Sequence, residues 1–278
     1  MRTLRADSAG ACFGVQRALT LAQRAAEDYD QVKSLGPLIH NPQVVAQLAQ
    51  SGVEAVSAVD PSYRGAVVIR SHGVGPAEHE ALNRDGLVVI DATCPHVARA
   101  QRAAVELAQR YLVVLVVGDA QHPEVEAIRA FAQQAGGDVR IVDEPASIPA
   151  DLPAQVGVVV QTTQNREVFD AIIAALKEAG VEADVRDTIC NATSKRQAAA
   201  RDLAAQVDAM VVIGGHNSSN TTRLYEICKT ICAKTYHIET VSELDADDFV
   251  DCETVGITAG ASTPESQILP VEEFFERL

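Results

Sequence analysis

The sequence predicts an α/β fold with mostly parallel sheets. Three observations carry this. Short β-branched runs recur along the chain, Ala/Leu/Glu-rich stretches with helical spacing lie between them, and nearly every run ends in a polar cluster just before a helix. The runs are AVVIR (66–70), LVVID (87–91), LVVLVVGD (112–119), VGVVVQ (156–161), AMVVIGG (209–215) and TVGITAG (254–260). They are continuously apolar rather than alternating, which marks strands covered on both faces. The helical stretches include VARAQRAAVELAQRYL (97–112), REVFDAIIAALKEAG (166–180) and SKRQAAARDLAAQV (194–207). No long linker or low-complexity segment interrupts the alternation, and the acidic stretch DADDFVDCE (245–253) reads as a solvated face or helix start.

Composition narrows the function classes. The 278 residues include 38 acidic and 23 basic side chains, for a net charge of −15. That balance argues against nucleic-acid binding, which needs a basic face. No apolar run approaches the ~20 residues of a membrane span, and MRTLRADSAGACFGV lacks the apolar centre of a signal peptide. A cytoplasmic protein without membrane attachment is expected. Length alone predicts about two domains. Aromatic residues are 4% and Trp is absent, so the core must be aliphatic.

The polar clusters are SHGVGP, ATCPH, DAQHPEVE, TTQN, HNSSNTT and ASTPES. Ligands of open parallel sheets bind beyond the strand carboxyl ends, where helix N-termini offer N–H donors to anions. Capping explains any one cluster. It explains six rich in His, Ser and Asn less well.

The six cysteines contain no CxxC, so zinc-ribbon and ferredoxin spacings are absent. A reducing compartment disfavours a disulfide framework, which leaves metal as the first question. Cys228 and Cys232 sit four apart on a helix and read as core, and Cys252 reads as structural. Cys12, Cys94 and Cys190 differ: each stands at a turn before a helix, and they lie 82 and 96 residues apart, each close to a third of the chain. This spacing suggests three similar α/β units, each presenting one thiolate. A helix N-terminus favours the thiolate form. Three thiolates without a fourth suit an iron–sulfur cluster with one open iron, whereas a closed zinc site would want four.

Nine motifs carry a resemblance that spans about residues 5–270: AGACFGVQRA, LGPLIHNPQVV, IRSHGV, DATCPHV, GDAQHPEVE, VQTTQ, DTICNATSKRQ, GGHNSSNTTRLYEI and GITAGASTP. In this order they resemble the IspH/LytB family, the 4-hydroxy-3-methylbut-2-enyl diphosphate reductases of isoprenoid synthesis. The resemblance implies three similar α/β lobes with mostly parallel sheets, arranged pseudo-threefold around a central iron–sulfur cluster. The expected lobes are 13–93, 94–190 and 191–278, with residues 1–12 joining the third. It implies one [4Fe–4S] cluster per chain, held by Cys12, Cys94 and Cys190, with one iron open. It implies removal of the substrate 4-hydroxyl with two electrons and two protons, giving isopentenyl and dimethylallyl diphosphate. Glu124 falls on the family's proton donor and Thr162 on the residue that contacts the substrate hydroxyl. His40, His72, His122, Ser218, Ser219, Asn220 and Ser262 fall on the diphosphate-binding set.

The residue chemistry agrees with that reaction. An open iron is a Lewis acid toward a hydroxyl oxygen. Hydroxide leaves poorly unless protonated, and a carboxyl beside a cluster and a diphosphate should have a raised pKa. Glu126 reads instead as an N-terminal helix charge, and Asn41 as a residue that orients its loop. Two positions depart from common family wording: Ala127 replaces a frequent glycine, and His216 replaces a frequent lysine, which makes that charge pH-dependent.

No GxGxxG follows any strand, so an external one-electron donor is expected, ferredoxin or flavodoxin by family. Those donors are acidic, and Lys195 with Arg196, or Arg223 with Lys229, are candidate basic patches; both pairs also read as ordinary solvated charges. Two other classes stay open on the residues alone. One is a non-redox iron–sulfur dehydratase or lyase, distinguished by turnover without reductant. The other is a non-catalytic iron–sulfur or zinc sensor, which has no need for Glu124, Thr162 and a cage of His and Ser donors.

Overall fold

The computed structural model describes residues 1–278. In chain order the elements are β1 (Arg2–Arg5), α1 (Phe13–Asp28), β2 (Val32–Leu35), α2 (Pro42–Gln50), β3 (Val53–Val56), β4 (Gly65–Ile69), α3 (Pro76–Leu82), β5 (Leu87–Asp91), α4 (Pro95–Ala108), β6 (Val113–Val117), α5 (Pro123–Gln134), β7 (Asp138–Val142), β8 (Gln155–Val160), α6 (Arg166–Glu178), β9 (Glu182–Arg186), α7 (Asn191–Ala204), β10 (Ala209–Ile213), α8 (Ser219–Ile231), β11 (Thr235–Ile238), β12 (Thr254–Ala259) and α9 (Glu265–Glu276). Helices α2, α3, α4 and α5 each begin with proline. Its missing N–H costs nothing in the first turn and its φ is preset for a helix.

The strands form three four-stranded sheets in the orders β3-β2-β4-β5, β7-β6-β8-β9 and β11-β10-β12-β1. Every pairing is parallel. These are three α/β lobes with one repeated topology. In each, the first strand lies inside, the second is the edge beside it, the third pairs with the first, and the fourth closes the other edge. The third lobe takes its fourth strand, β1, from the N-terminus. In all three, the fourth strand leads through a cysteine into a helix: β1–Cys12–α1, β5–Cys94–α4 and β9–Cys190–α7.

By contacts the chain divides into two units. One comprises Met1–Val15, His40–Gln43 and Asn191–Leu278 and holds the β11-β10-β12-β1 sheet. Its core lies on both sheet faces. Ala209, Val211 and Ile213 of β10 pack with Phe249, Ile268 and Phe275, while Met210 and Val212 pack with Ala200, Leu203, Leu224 and Cys228. The other unit, Gln16–Ile39 and Val44–Cys190, holds the remaining two sheets. In β6, Val113, Leu115 and Val117 face α6 residues Phe169, Ile172 and Leu176, while Val114 and Val116 face Ala100, Ala104 and Leu107 of α4. Successive side chains point to opposite faces, so a strand covered on both sides must be apolar throughout.

Six strands escape the apolar-run pattern: β1, β2, β3, β7, β9 and β11. Five are sheet edges. They read RTLR, VEAV, DVRIV, EADVR and TYHI. An edge has one open side, and charge there blocks pairing with a foreign strand. No helix is long and apolar enough to cross a membrane.

Candidate active site

One backbone device recurs at the three cysteines. The amide N–H of Cys12 donates to the Ala261 carbonyl at 3.0 Å, that of Cys94 to Ser71 at 2.9 Å, and that of Cys190 to Thr162 at 3.1 Å. Each acceptor lies two residues beyond the third strand of its lobe, β12, β4 or β8. The three helices that follow, α1, α4 and α7, carry no acidic residue in their first turns. Their N-terminal dipoles are therefore open to a thiolate rather than spent on a carboxylate. These three thiols are half-exposed, whereas Cys228, Cys232 and Cys252 are buried. Burial, with Cys232 alongside, pushes the Cys228 thiol up to about 12. Its Sγ faces the Ala200 carbonyl at 3.8 Å and that of Cys232 faces Asp208 at 3.5 Å. A buried thiol held protonated, as that of Cys228 is, makes a poor metal ligand. By exposure and by their places at helix N-termini, Cys12, Cys94 and Cys190 are each open to a ligand, and Cys228, Cys232 and Cys252 are not.

The turns after β6 and β8 bring Glu124 and Thr162 together. Glu124 is 1% exposed. Its carboxylate accepts from the Thr162 amide at 2.7 Å and the Thr162 hydroxyl at 2.8 Å. Burial pushes its pKa up to about 7, and the two hydrogen bonds from Thr162 pull the other way without prevailing. His122 caps α5: its Nδ1 accepts from the Glu124 amide at 3.1 Å. A neutral ring then carries its proton on Nε2. His72 meets His122 edge-on with ring centroids 5.4 Å apart. Glu126 is exposed, and Ala127 is buried under the same turn.

In the other unit, the His40–Asn41 segment meets the turn after β12. The Ser262 hydroxyl donates to the His40 carbonyl at 2.9 Å, and Asn41 Nδ2 donates to the Ser262 carbonyl at 2.9 Å and to Gln267 Oε1 at 2.9 Å. Asn41 orients its loop, as the sequence suggests. Ser218 caps α8, its Oγ accepting from the Thr221 amide at 3.3 Å. Ser219 is half-buried beside it. Asn220 is 5% exposed, yet neither its Nδ2 nor its Oδ1 has a protein partner. A buried carboxamide with all its capacity unspent is what a ligand satisfies. His216 is exposed, with its ring 4.4 Å from His237 and its Nε2 3.6 Å from Glu243.

One residue of the basic-patch expectation, Arg196, needs correction. Arg196 is 4% exposed and donates to the Gly10 carbonyl at 2.7 Å and the Ala192 carbonyl at 3.1 Å. It ties down the segment that leads to Cys12 and is no docking surface. Arg223 pairs with Glu226 at 2.8 Å, and Lys229 donates to the Ala233 carbonyl at 2.6 Å. Sequence reasoning also passed over Gln161. Its side chain is buried between the turns that bear Glu124 and Thr162, and its place directly before Thr162 in VQTTQ was the available signal.

The family profile described as "LytB protein" matches residues 3–276. The 4-hydroxy-3-methylbut-2-enyl diphosphate reductase of Geobacter sulfurreducens is 46% identical over 281 residues, covering 100% of this chain and 97% of its own. That of Aquifex aeolicus is 44% identical over 262 residues, covering 94% and 91%. A solved structure of (E)-4-hydroxy-3-methyl-but-2-enyl diphosphate reductase, described as the terminal enzyme of the non-mevalonate pathway, superposes with a TM-score of 0.72 at 42% identity and covers both chains in full. The E-1-hydroxy-2-methyl-but-2-enyl-4-diphosphate reductase from Plasmodium falciparum superposes with a TM-score of 0.87 at 24% identity, covering 100% of this chain and 87% of its own, which speaks for the fold. On the family match and the full-length identity together, the chain belongs to the LytB protein family.

Proposed function

We infer that this chain catalyses the reductive removal of the 4-hydroxyl from 4-hydroxy-3-methylbut-2-enyl diphosphate, the final step of the methylerythritol phosphate pathway. Two electrons and two protons enter, the C–O bond breaks, one proton leaves with the oxygen as water, and the other ends on carbon in isopentenyl or dimethylallyl diphosphate. The observation that carries the reading is the Glu124–Thr162 pair. It is a carboxyl buried deeply enough to hold its proton near neutral pH, bonded to a hydroxyl at 2.8 Å. A general acid poised near the working pH is the most effective kind.

The reading includes one [4Fe–4S] cluster per chain on Cys12, Cys94 and Cys190. When bound it supplies electrons singly and a Lewis-acidic iron without a thiolate. The side chains do the rest. Glu124 delivers the proton that the departing hydroxyl requires: in its protonated form it donates to the Thr162 hydroxyl, 2.8 Å away, which in turn donates to the departing hydroxyl and so relays the proton. His40, His72 and His122 face the diphosphate, with Ser218, Ser219, Asn220 and Ser262 as hydroxyl and amide donors. This set supplies the local compensation that a dianionic ligand needs on a chain of charge −15. The electrons come from an external one-electron donor of the ferredoxin or flavodoxin class. The lobes run 13–93, 94–190 and 191–278 with 1–12. Six free cysteines suit a reducing, cytoplasmic compartment.

Anaerobically purified protein tests this. With a one-electron reductant it should convert the hydroxybutenyl diphosphate to both products, and without one it should not. Turnover without reductant would overturn the reductase reading in favour of a lyase. Cys12→Ser, Cys94→Ser or Cys190→Ser should abolish or cripple the visible absorption and lower the iron and sulfide counts, whereas Cys228→Ser should leave them intact.

A further inference from the structure

We propose that Gln161 is a positioning residue for the proton-donating pair, locking the turn after β6 against the turn after β8 so that Glu124 meets Thr162. This rests on the reading of Glu124 given above and adds a residue to it.

Gln161 is 1% exposed. Its Oε1 accepts from the Asp119 amide at 3.0 Å, and its Nε2 donates to Thr163 Oγ1 at 3.0 Å. One carboxamide therefore spans both turns. Asp119 opens the segment that continues to His122 and Glu124, while Thr163 follows Thr162. The backbone is anchored at the same point, since the Gln161 amide donates to the Val117 carbonyl at the end of β6 at 2.8 Å. The two hydrogen bonds from Thr162 to Glu124 form only when these turns keep their register.

The space for this bridge comes from Gly118. A Cβ there would stand 2.7 Å from Gln161 Oε1 and 2.7 Å from Val125 Cγ2. The same construction appears in the first lobe. Gly36 also follows a first strand directly, and a Cβ on it would run into the guanidinium of Arg70, which, like Gln161, is one residue past its third strand. In both lobes a glycine after the first strand leaves room for the side chain that follows the third. Only in the second does that side chain bridge to the residues flanking an acid and a hydroxyl.

Gln161→Met preserves volume and deletes both hydrogen bonds. It should lower kcat about ten- to hundredfold, the scale of a small misplacement of a reacting group, while KM stays within about twofold. A purely structural residue would lower kcat in any background. A positioning residue acts only through the group it positions, so Gln161→Met added to Glu124→Gln should lower kcat by less than twofold further. Gln161→Glu, which keeps the acceptor for the Asp119 amide, should recover part of the loss. If Gln161→Met fails to fold, Gly118→Ala displaces the retained Gln161 and should show the same kcat loss and the same non-additivity. Full additivity with Glu124→Gln, or a parental kcat in both Gln161→Met and Gly118→Ala, would overturn the proposal while leaving the function intact. Parental turnover in Glu124→Gln itself would instead overturn the role of Glu124.

Discussion

Helices α5 and α8 occupy the same place in their lobes, each following the first, inner strand of its sheet, and their N-termini are equipped in opposite ways. The first turn of α5 contains Glu124 and Glu126, with the His122 ring as cap. The first turn of α8 contains no acid, has Ser218 as cap, and buries the uncommitted carboxamide of Asn220. A helix N-terminus attracts negative charge. In α5 the first turn carries that charge itself, on exposed Glu126; in α8 no side chain of the first turn supplies it. Glu124 sharpens the contrast, because burial outweighs the Thr162 hydrogen bonds and raises its pKa to about 7. On the function proposed above, one backbone position would serve proton delivery in one lobe and phosphate in another, according to the charge and burial of two or three side chains.

The strongest way to break this contrast is Glu124→Gln. Turnover should fall about 10²- to 10⁴-fold, the usual contribution of a general acid, with KM and cluster absorption little changed. Turnover near parental would remove Glu124 from the chemistry. Next in size is Asn220→Ala. Losing a hydrogen bond to a charged ligand costs about 1.5–3 kcal/mol, so KM should rise about tenfold or more. Thermal stability should hardly move, since that carboxamide has no protein partner. A lowered kcat with unchanged KM would contradict its assignment to the diphosphate.

The pH dependence follows from the carboxyl that burial holds at about 7 against an ordinary 4.5. The protonated form is the donor, so turnover should decline as pH rises through about 7. Stability moves the same way. Between 4.5 and about 7 the folded chain binds more protons than the unfolded one, so the contribution is most favourable below 4.5 and is lost as pH rises through 7. The gap corresponds to roughly 3 kcal/mol. Glu124→Gln should therefore melt higher than the parent at pH 8, with the difference gone near pH 4.5; an equal difference at both would deny the shift. The smallest effect belongs to Glu126→Gln. This exposed first-turn charge should leave kcat within about twofold, because an exposed dipole interaction is worth only about 0.3–1 kcal/mol.

What the sequence disclosed follows from where each residue sits. Inner strands such as VVLVV and AMVVI announce themselves because both faces are covered. The edges RTLR and EADVR do not, because their pattern answers to solvent on one side. Motif and spacing set Cys12, Cys94 and Cys190 apart from the other three cysteines, and burial divides the six the same way. Arg196 reads as a surface cation because a charge in a helix usually is one; only its burial against the Gly10 and Ala192 carbonyls shows otherwise. The repeated topology was legible only as a spacing of about a third of the chain. That β1 completes the sheet begun by β10 is a pairing more than two hundred residues apart, which no local pattern encodes.

By itself the sequence determined the fold class, the family and the residue types of the chemistry. Hydrophobic periodicity and short motifs are local properties, and the chain states them directly. The tertiary structure decided which groups hold protons and which hydrogen bonds are spent. Glu124 and Glu126 are the same residue two positions apart, yet only Glu124 is buried, and burial raises its pKa to about 7. Gln161 and Gln164 share the same motif, yet only Gln161 bridges the Asp119 amide and Thr163. Desolvation and hydrogen-bond geometry arise from distant segments meeting, so they exist only once the chain has folded.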